Sequence, residues 1–357
     1  MSEFWSGKKV LLTGHTGFKG AWLTLMLAHW GAKIYGYALP PKEPSLYSSL
    51  ELSRCLEGEQ FADIADRASL EYFYRATTPD ITIHMAAQAL VLPAYDNPVE
   101  TFRVNVLGTA TLLDVLRGVG LPQTVIVVTT DKVYENLETG RAYTETDPLG
   151  AGDPYSASKA CAELVTTSFR HSFWHDPASP IVVKTARAGN VIGAGDYSAH
   201  RLIPDVMRAI AQGTELVVRH PESVRPWQHV LEPLAGYLML AEQTTINHGN
   251  VRPNSFNFGS VRENCWPVEK LVRRVIELWD EKPKQLDKGR NEPQPPEATL
   301  LYLDSSRAQD VLGWTPRWDI EETLAATIVG YKALHALSPQ QARAVLTSQI
   351  EDYFQKS

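Results

Sequence analysis

The apolar run Lys9-Val-Leu-Leu-Thr13 breaks directly into Gly14-His15-Thr16-Gly17-Phe18-Lys19-Gly20, and helical spacing then takes over from Ala21 to Trp30. A short, nearly unbroken apolar run is what a strand covered on both faces requires. Three glycines at intervals of three then suit three tasks: a tight turn, close approach of backbone to a pyrophosphate, and close packing of the next helix on the sheet. The N-terminus of that helix offers free N–H groups and a positive dipole end to phosphate. The strand–turn–helix setting is what raises this glycine pattern above chance. It makes Gly14, His15, Thr16, Gly17, Phe18, Lys19 and Gly20 candidate cofactor contacts. For the side chains of His15 and Lys19, phosphate contact and plain solvation are both compatible with the pattern.

Similar strand-like runs recur at Lys33–Ala38, Glu59–Ile64, Ile81–Ala86, Val125–Thr129 and Ile181–Thr185. Helical stretches near Ser69–Arg75, Pro98–Gly118 and Tyr155–His175 lie between the later ones. Strand and helix in alternation predict an α/β fold, a Rossmann-type doubly wound parallel sheet of six strands with helices on both faces. We expect residues 1–186 to form this dinucleotide-binding domain, able to recruit later segments near 224–260. Residues 187–357 then form a smaller, mixed α/β lobe for the substrate. There, Leu202–Gln212, Leu231–Glu242 and Pro267–Trp279 read as helices, Glu215–Arg219 as a strand, and Lys282–Pro296 as an exposed loop. Asp319 is the N-cap candidate of a last helix.

Composition removes several classes of function. The chain has 357 residues and a hydrophobic fraction of 44%, enough for a large core. Lysine and arginine total 34 against 41 acidic residues, a net charge of -7, so the basic footprint of a nucleic-acid binder is missing. Cys55, Cys161 and Cys265 form no CxxC pair, which argues against a thiolate metal site and fits a reduced cytoplasm. No stretch approaches the roughly 18 apolar residues of a membrane span.

Asp153-Pro154-Tyr155-Ser156-Ala157-Ser158-Lys159 carries the sharpest chemistry. Pro154 suits a helix start, so Tyr155 and Lys159, four apart, share a helix face. A free tyrosine, with a pKa of about 10, is a poor base at neutral pH. A cation held beside it favours the phenolate, which can take a hydroxyl proton while hydride leaves the same carbon. Lys159 can also hold the cofactor ribose. Strand five ends in Thr129-Thr130-Asp131-Lys132-Val133-Tyr134, and ligands meet the carboxyl ends of strands in such sheets. Thr130 can bond a sugar hydroxyl or the Tyr155 oxygen, Asp131 can act as a general acid if its pKa is raised, and Lys132 adds charge beside both. The acid that would bind the adenosine ribose about 20 residues past the glycines is missing after Ile34–Pro40. NAD and NADP are therefore both open at that position, and Lys42 suits a 2′-phosphate. Asp63, followed by Ile64, is placed either to meet the adenine amine or to stay solvated.

These segments, with Arg225-Pro-Trp-Gln-His-Val230, resemble the extended short-chain dehydrogenase/reductase family and, within it, the branch that dehydrates CDP-linked glucose. The resemblance runs from the first strand to Trp314-Thr-Pro-Arg-Trp318. It implies NAD as cofactor, CDP-glucose as substrate, and a homodimer or higher homo-oligomer pairing through Pro98–Gly118 and Tyr155–His175. Other sugar dehydratases of the family carry an acid where Lys132 stands, which leaves the C5 base open between a neutral Lys132 and another group. The resemblance further implies that Ala86, Ala87, Gln88 and Asn105 border the cofactor, with Gln88 reaching the substrate. Asn190, Arg201, Arg225 and, more weakly, Arg307 become candidates for the substrate diphosphate. Trp227 borders the base, while His84 reads as a core histidine near the cofactor. A nucleotide-sugar 4-epimerase would share the glycines, Tyr155 and Lys159 without needing Asp131 and Lys132, and a non-catalytic dinucleotide sensor would need neither.

Overall fold

Val10, Leu11 and Leu12 are fully buried, with Val10 and Leu12 in one apolar cluster and Leu11 in another. That alternation is the pleat of a strand covered on both faces. The structure, a computed structural model, describes residues 2–137, 140–150, 152–176, 178–218, 220–247, 251, 253–279, 283, 285–288 and 301–356. Among them β1 (Lys9–Thr13), β2 (Lys33–Ala38), β3 (Gly58–Phe61), β4 (Ile81–His84), β5 (Gln123–Val128), β6 (Ile181–Ala188) and β7 (Ser255–Phe258) form one parallel sheet. Its order is β7-β6-β5-β4-β1-β2-β3. The direction of winding reverses between β1 and β4, which opens a crevice at their carboxyl ends.

On one face lie α1 (Phe18–His29) and α6 (Leu231–Ile246), closing over Ile126 and Val128 of β5. On the other lie α2 (Arg67–Thr77), α3 (Gly108–Val119) and α4 (Pro154–Phe173), over Val125 and Val127. The sheet has seven strands where the apolar runs predict six. β7, in register with β6 through Ser255↔Thr185 to Phe258↔Ala188, comes from far along the chain, as does α6. The helical stretch Pro98–Gly118 is also not one regular helix. Pro98–Phe102 and α3 are joined by a π turn at Arg103–Leu107, a local widening often found at functional sites.

The remaining chain builds a lobe over the carboxyl end of the sheet, with α5 (Leu202–Gln212), α7 (Val268–Trp279), α8 (Ile320–Ala336) and α9 (Pro339–Gln355). Short strand pairs tie it together, Gln228–His229 with Val191–Ile192 and Cys265–Pro267 with Val224–Pro226. The predicted loop Lys282–Pro296 is corrected in part. Gln285–Lys288 pairs in parallel with Glu215–Val218, while the rest of that stretch, apart from Pro283, lies outside the described residues. Asp319 does cap α8, in a capping box with Glu322, but α8 is not the last helix, because α9 follows and packs back on α1. No helix among the described residues is long and apolar enough to cross a membrane.

Candidate active site

The glycine-rich turn opens one wall of a cavity of about 1280 Å³. Gly14 adopts φ +78°, and a Cβ there would stand 2.8 Å from the Ala86 nitrogen. A Cβ on Gly20 would lie 2.2 Å from the Gly14 carbonyl oxygen, so α1 can seat against the turn only without one. Thr16, Gly17, Phe18 and Lys19 line the cavity with these glycines, and so do Asp63, Ile64, Ala86, Ala87 and Gln88. A pocket larger than the 300–1,000 Å³ usual for one small ligand fits two elongated ones meeting end to end. Thr130, Lys132, Tyr155 and Lys159 also line it, as do Asn190, Arg201, Arg225 and Trp227, and the Arg201 charge acts on both Tyr155 and Lys19.

Tyr155 and Lys159 stand one turn apart on α4, whose N-terminus is set by Asp153 accepting from the Ser156 backbone N–H at 3.0 Å. Both are buried. The expectation that Lys159 acidifies Tyr155 is corrected here. The Lys159 ammonium donates to the last carbonyl of β5, Val128, at 3.0 Å, and is not among the groups that lower the phenol. Burial pushes the Tyr155 phenol up to about 12, and the Thr130 hydroxyl and the Arg201 charge are what pull it back. Burial brings Lys159 down to about 8, opposed by Glu163 one turn further along.

Thr130 caps the turn Asp131–Val133 and donates to the Asp131 carboxylate at 2.8 Å. Asp131 is buried against Gly189 and is not itself a wall of the cavity, but lies directly behind Thr130. Burial raises its pKa, with the Lys132 charge and the Thr130 bond opposing. That favours the protonated carboxyl a general acid needs. Lys19, left open between phosphate and solvent, reaches inward. Its ammonium lies 3.4 Å from the Tyr237 hydroxyl, and burial followed by the charge of Arg201 lowers it to about 7.

Several predicted contacts fall elsewhere. The His15 side chain turns away from the cavity: fully buried against Gly36, it bonds Glu59 at 3.1 Å. Asn105 does not line the cavity either. From the π turn, it accepts from the Gln88 N–H at 2.8 Å, and its amide donates to the Gln88 carbonyl at 3.0 Å and the Ser158 hydroxyl at 2.8 Å. It fixes the loop after β4 to α4. The Gln88 side chain is engaged with Leu90 and Thr101, so Gln88 lines the cavity with its polar groups held by the protein. Arg307 does not line the cavity: it bonds the Ser255 carbonyl at 3.0 Å and pairs with Glu145 at 3.4 Å. Lys42 is exposed and outside the walls. Asp63 is held by Arg103 at 2.6 Å, which lowers its pKa, the hydrogen bond being the main cause. His84, between Thr13 at 2.7 Å and Thr109 at 3.1 Å, is a core histidine that burial lowers to about 3. Sequence reasoning missed Glu135, Asn136 and Asp153, which also line the cavity. Glu135 and Asn136 lie just past the Thr130–Tyr134 motif, and that proximity was the only available signal.

The match to the family described as GDP-mannose 4,6 dehydratase spans residues 11–327. The chain belongs to this dehydratase family. It is 44% identical over 336 residues, 93% of this chain and 92% of the relative, to the CDP-glucose 4,6-dehydratase of Salmonella typhimurium. It is 28% identical over 351 residues to the dTDP-glucose 4,6-dehydratase of Xanthomonas campestris pv. campestris, covering 90% of this chain and 92% of that one. The fold is shared with a dTDP-glucose 4,6-dehydratase from Bacillus anthracis solved in complex with NAD, at TM-score 0.75 and 21% identity over 91% of this chain and 97% of that one. A UDP-glucose 4-epimerase from Thermotoga maritima, solved with UDP-glucose, gives the same TM-score and identity over 91% of this chain and 98% of that one. The fold is thus common to dehydratases and epimerases and does not by itself separate them.

Proposed function

We propose that the protein converts CDP-glucose to CDP-4-keto-6-deoxyglucose and water, with NAD held through the cycle. The observation that carries this reading is the 44% identity to a CDP-glucose 4,6-dehydratase across nearly the whole of both chains. The cavity suits the cofactor. Gly14 and Gly20 leave no room for side chains, the N-terminus of α1 faces the space, and Asp63 and Ile64 stand at its outer end. Bound there, NAD would supply the acceptor for the C4 hydride and its donor to C6, and a positive charge on the oxidised ring.

The remaining chemistry falls to side chains. Tyr155 acts as its phenolate and takes the C4 hydroxyl proton, with Thr130 beside the phenol oxygen and the charges of Arg201 and of the oxidised cofactor ring favouring the anion. The C4 ketone that results acidifies C5–H, which no side chain could deprotonate in the unoxidised sugar. Lys132 takes the C5 proton and returns it to C5 when hydride reaches C6, while Asp131, whose acid form burial favours, delivers a proton to the departing C6 oxygen through the Thr130 side of the turn and is reprotonated with the proton released from the C4 hydroxyl. Lys159 holds the cofactor ribose. Asn190, Arg201 and Arg225 neutralise the diphosphate, the arginines by the paired N–H geometry that suits phosphate oxygens.

Incubation with CDP-glucose and NAD tests this. Mass spectrometry should show a product lighter by one water, absorbing in alkali as a 4-keto sugar. A galacto-epimer of unchanged mass would overturn it in favour of an epimerase. Tyr155→Phe should lower turnover by about 10²–10⁴-fold, the range of a lost general base. We also propose that two copies pair through the outer faces of α4 and the Pro98–Leu107 segment, where Val99, Leu107 and Leu164 are exposed.

A further inference from the structure

The groups assigned to the reaction sit on two separate elements: Thr130, Asp131 and Lys132 on the turn after β5, and Tyr155 and Lys159 on α4. Their mutual geometry must hold to a fraction of an ångström for proton transfer. Glu163, on α4 one turn past Lys159, is fully buried together with Arg187 of β6. One Glu163 oxygen accepts from Arg187 Nε at 2.9 Å and from the Thr129 hydroxyl at 2.6 Å, and the other accepts from Arg187 Nη2 at 3.0 Å. The third arm of the guanidinium, Nη1, donates to the Tyr134 hydroxyl at 2.8 Å, which donates in turn to Asn257 of β7 at 2.7 Å. Thr129 is the residue before the Thr130–Val133 turn and Tyr134 the residue after it. The pair thus grips the turn at both ends and joins it to the helix that carries Tyr155 and Lys159.

A buried ion pair is weak evidence for stability, since desolvation consumes most of the attraction. This one engages all three guanidinium nitrogens and both carboxylate oxygens across four elements, which an apolar replacement of equal volume could not do. Resting on the dehydratase reading above, we propose that Glu163 and Arg187 are positioning residues, a clasp that holds the Thr130–Lys132 turn in register with Tyr155 and Lys159 and sets a negative charge beside Lys159. The charged and titratable groups that face Lys159 are Glu163 from α4, His84 from β4 and Lys19 from α1, the last also near Asp131. His84 is neutral across the working range and Lys19 repels, so Glu163 is the near group favouring the charged lysine.

Thr129→Val and Tyr134→Phe each open one end of the clasp without leaving a buried charge unpaired. Each should lower kcat about five- to ten-fold, as loosened positioning does, with KM for CDP-glucose within about two-fold. Amide hydrogen exchange at Asp131–Val133 should quicken about ten-fold or more while α4 stays protected. Glu163→Gln removes the anion. Lys159 must be protonated to serve, so a lysine whose pKa burial lowers should give the kcat profile an alkaline limb. Losing Glu163 lowers that value, so the limb should move to lower pH by about half a unit to one unit. Glu163→Gln with Arg187→Met should move it the same way by less. Unchanged kcat and unchanged exchange in the folded Thr129 and Tyr134 variants would overturn the clasp. An unmoved alkaline limb in a folded Glu163 variant would overturn its electrostatic part. Exchange is read on the protein alone, so a wild type inert toward CDP-glucose would count against the dehydratase reading while the clasp is still decided.

Discussion

Gly20 shows how much one residue can carry. Its position on α1 places a notional Cβ 2.2 Å from the Gly14 carbonyl oxygen and 2.7 Å from the His15 Cα, both backbone atoms of the turn that faces the cofactor. Gly20→Ala must therefore push α1 off the turn. The expected outcome is an affinity for NAD lowered about ten-fold or more, equal to at least about 1.4 kcal/mol, measured by quenching of tryptophan fluorescence. An affinity equal to wild type would show that the turn has slack that the packing does not suggest. At this scale the sequence was legible wherever function is local. The three glycines, the Tyr155–Lys159 pair and the Thr130–Lys132 turn are contiguous motifs whose backbone dictates where they go. It was illegible where a side chain chooses among distant partners. Nothing in the spacing tells that His15 turns to Glu59, that Lys159 bonds Val128, or that Arg307 is captured by Glu145. Nor does it pair Arg187 with Glu163 or Tyr134 with Asn257, 24 and 123 residues apart.

Whole elements follow the same division. β1, β2 and α5 end where their apolar patterns end, because both faces or one broad stripe are buried and any slip would expose them. β7 escaped because Ser255-Phe-Asn-Phe258 is short and alternating, and its membership in the sheet depends on β6 being present at its edge. The π turn at Arg103–Leu107 is likewise a tertiary result: it points Asn105 back at Gln88 and Ser158, at the expense of regular helix bonding. α8 is the opposite case, announced by Asp319. Its carboxylate accepts from the Glu322 N–H at 2.8 Å while Glu322 accepts from the Asp319 N–H at 2.9 Å. The helix so started buries Ile320, Leu324 and Ile328 in the core shared with α1. Asp319→Ala should cost about 1 kcal/mol, read as a lower urea midpoint at unchanged slope. A larger loss would mean that the cap also holds the Trp318 segment, whose backbone N–H donates to Glu232 at 2.8 Å.

At the scale of the molecule, the outer face of α4 and its neighbour carries apolar side chains that one copy leaves open. Val99 is 81% exposed and Leu164 58% exposed, with Leu107 also open, on adjoining elements that pack on each other. Apolar side chains gathered on neighbouring helices are a costly surface unless covered. A two-fold contact is self-complementary, so a single such face suffices to build a closed dimer, and a stable one buries about 1,200–2,000 Å² in all. Leu164 lies one residue past Glu163, so the face that would pair is the back of the helix whose front carries Tyr155, Lys159 and the Glu163 clasp. Dimerisation would then stiffen the element on which proton transfer depends. Val99→Asp combined with Leu164→Lys places charges on that face without touching the cavity. Light scattering should give twice the chain mass for wild type and the single-chain mass for this variant, whose kcat should fall while its far-ultraviolet circular dichroism is unchanged. A wild type already monomeric at micromolar concentration would refute the pairing, and a monomeric variant with full kcat would separate assembly from catalysis.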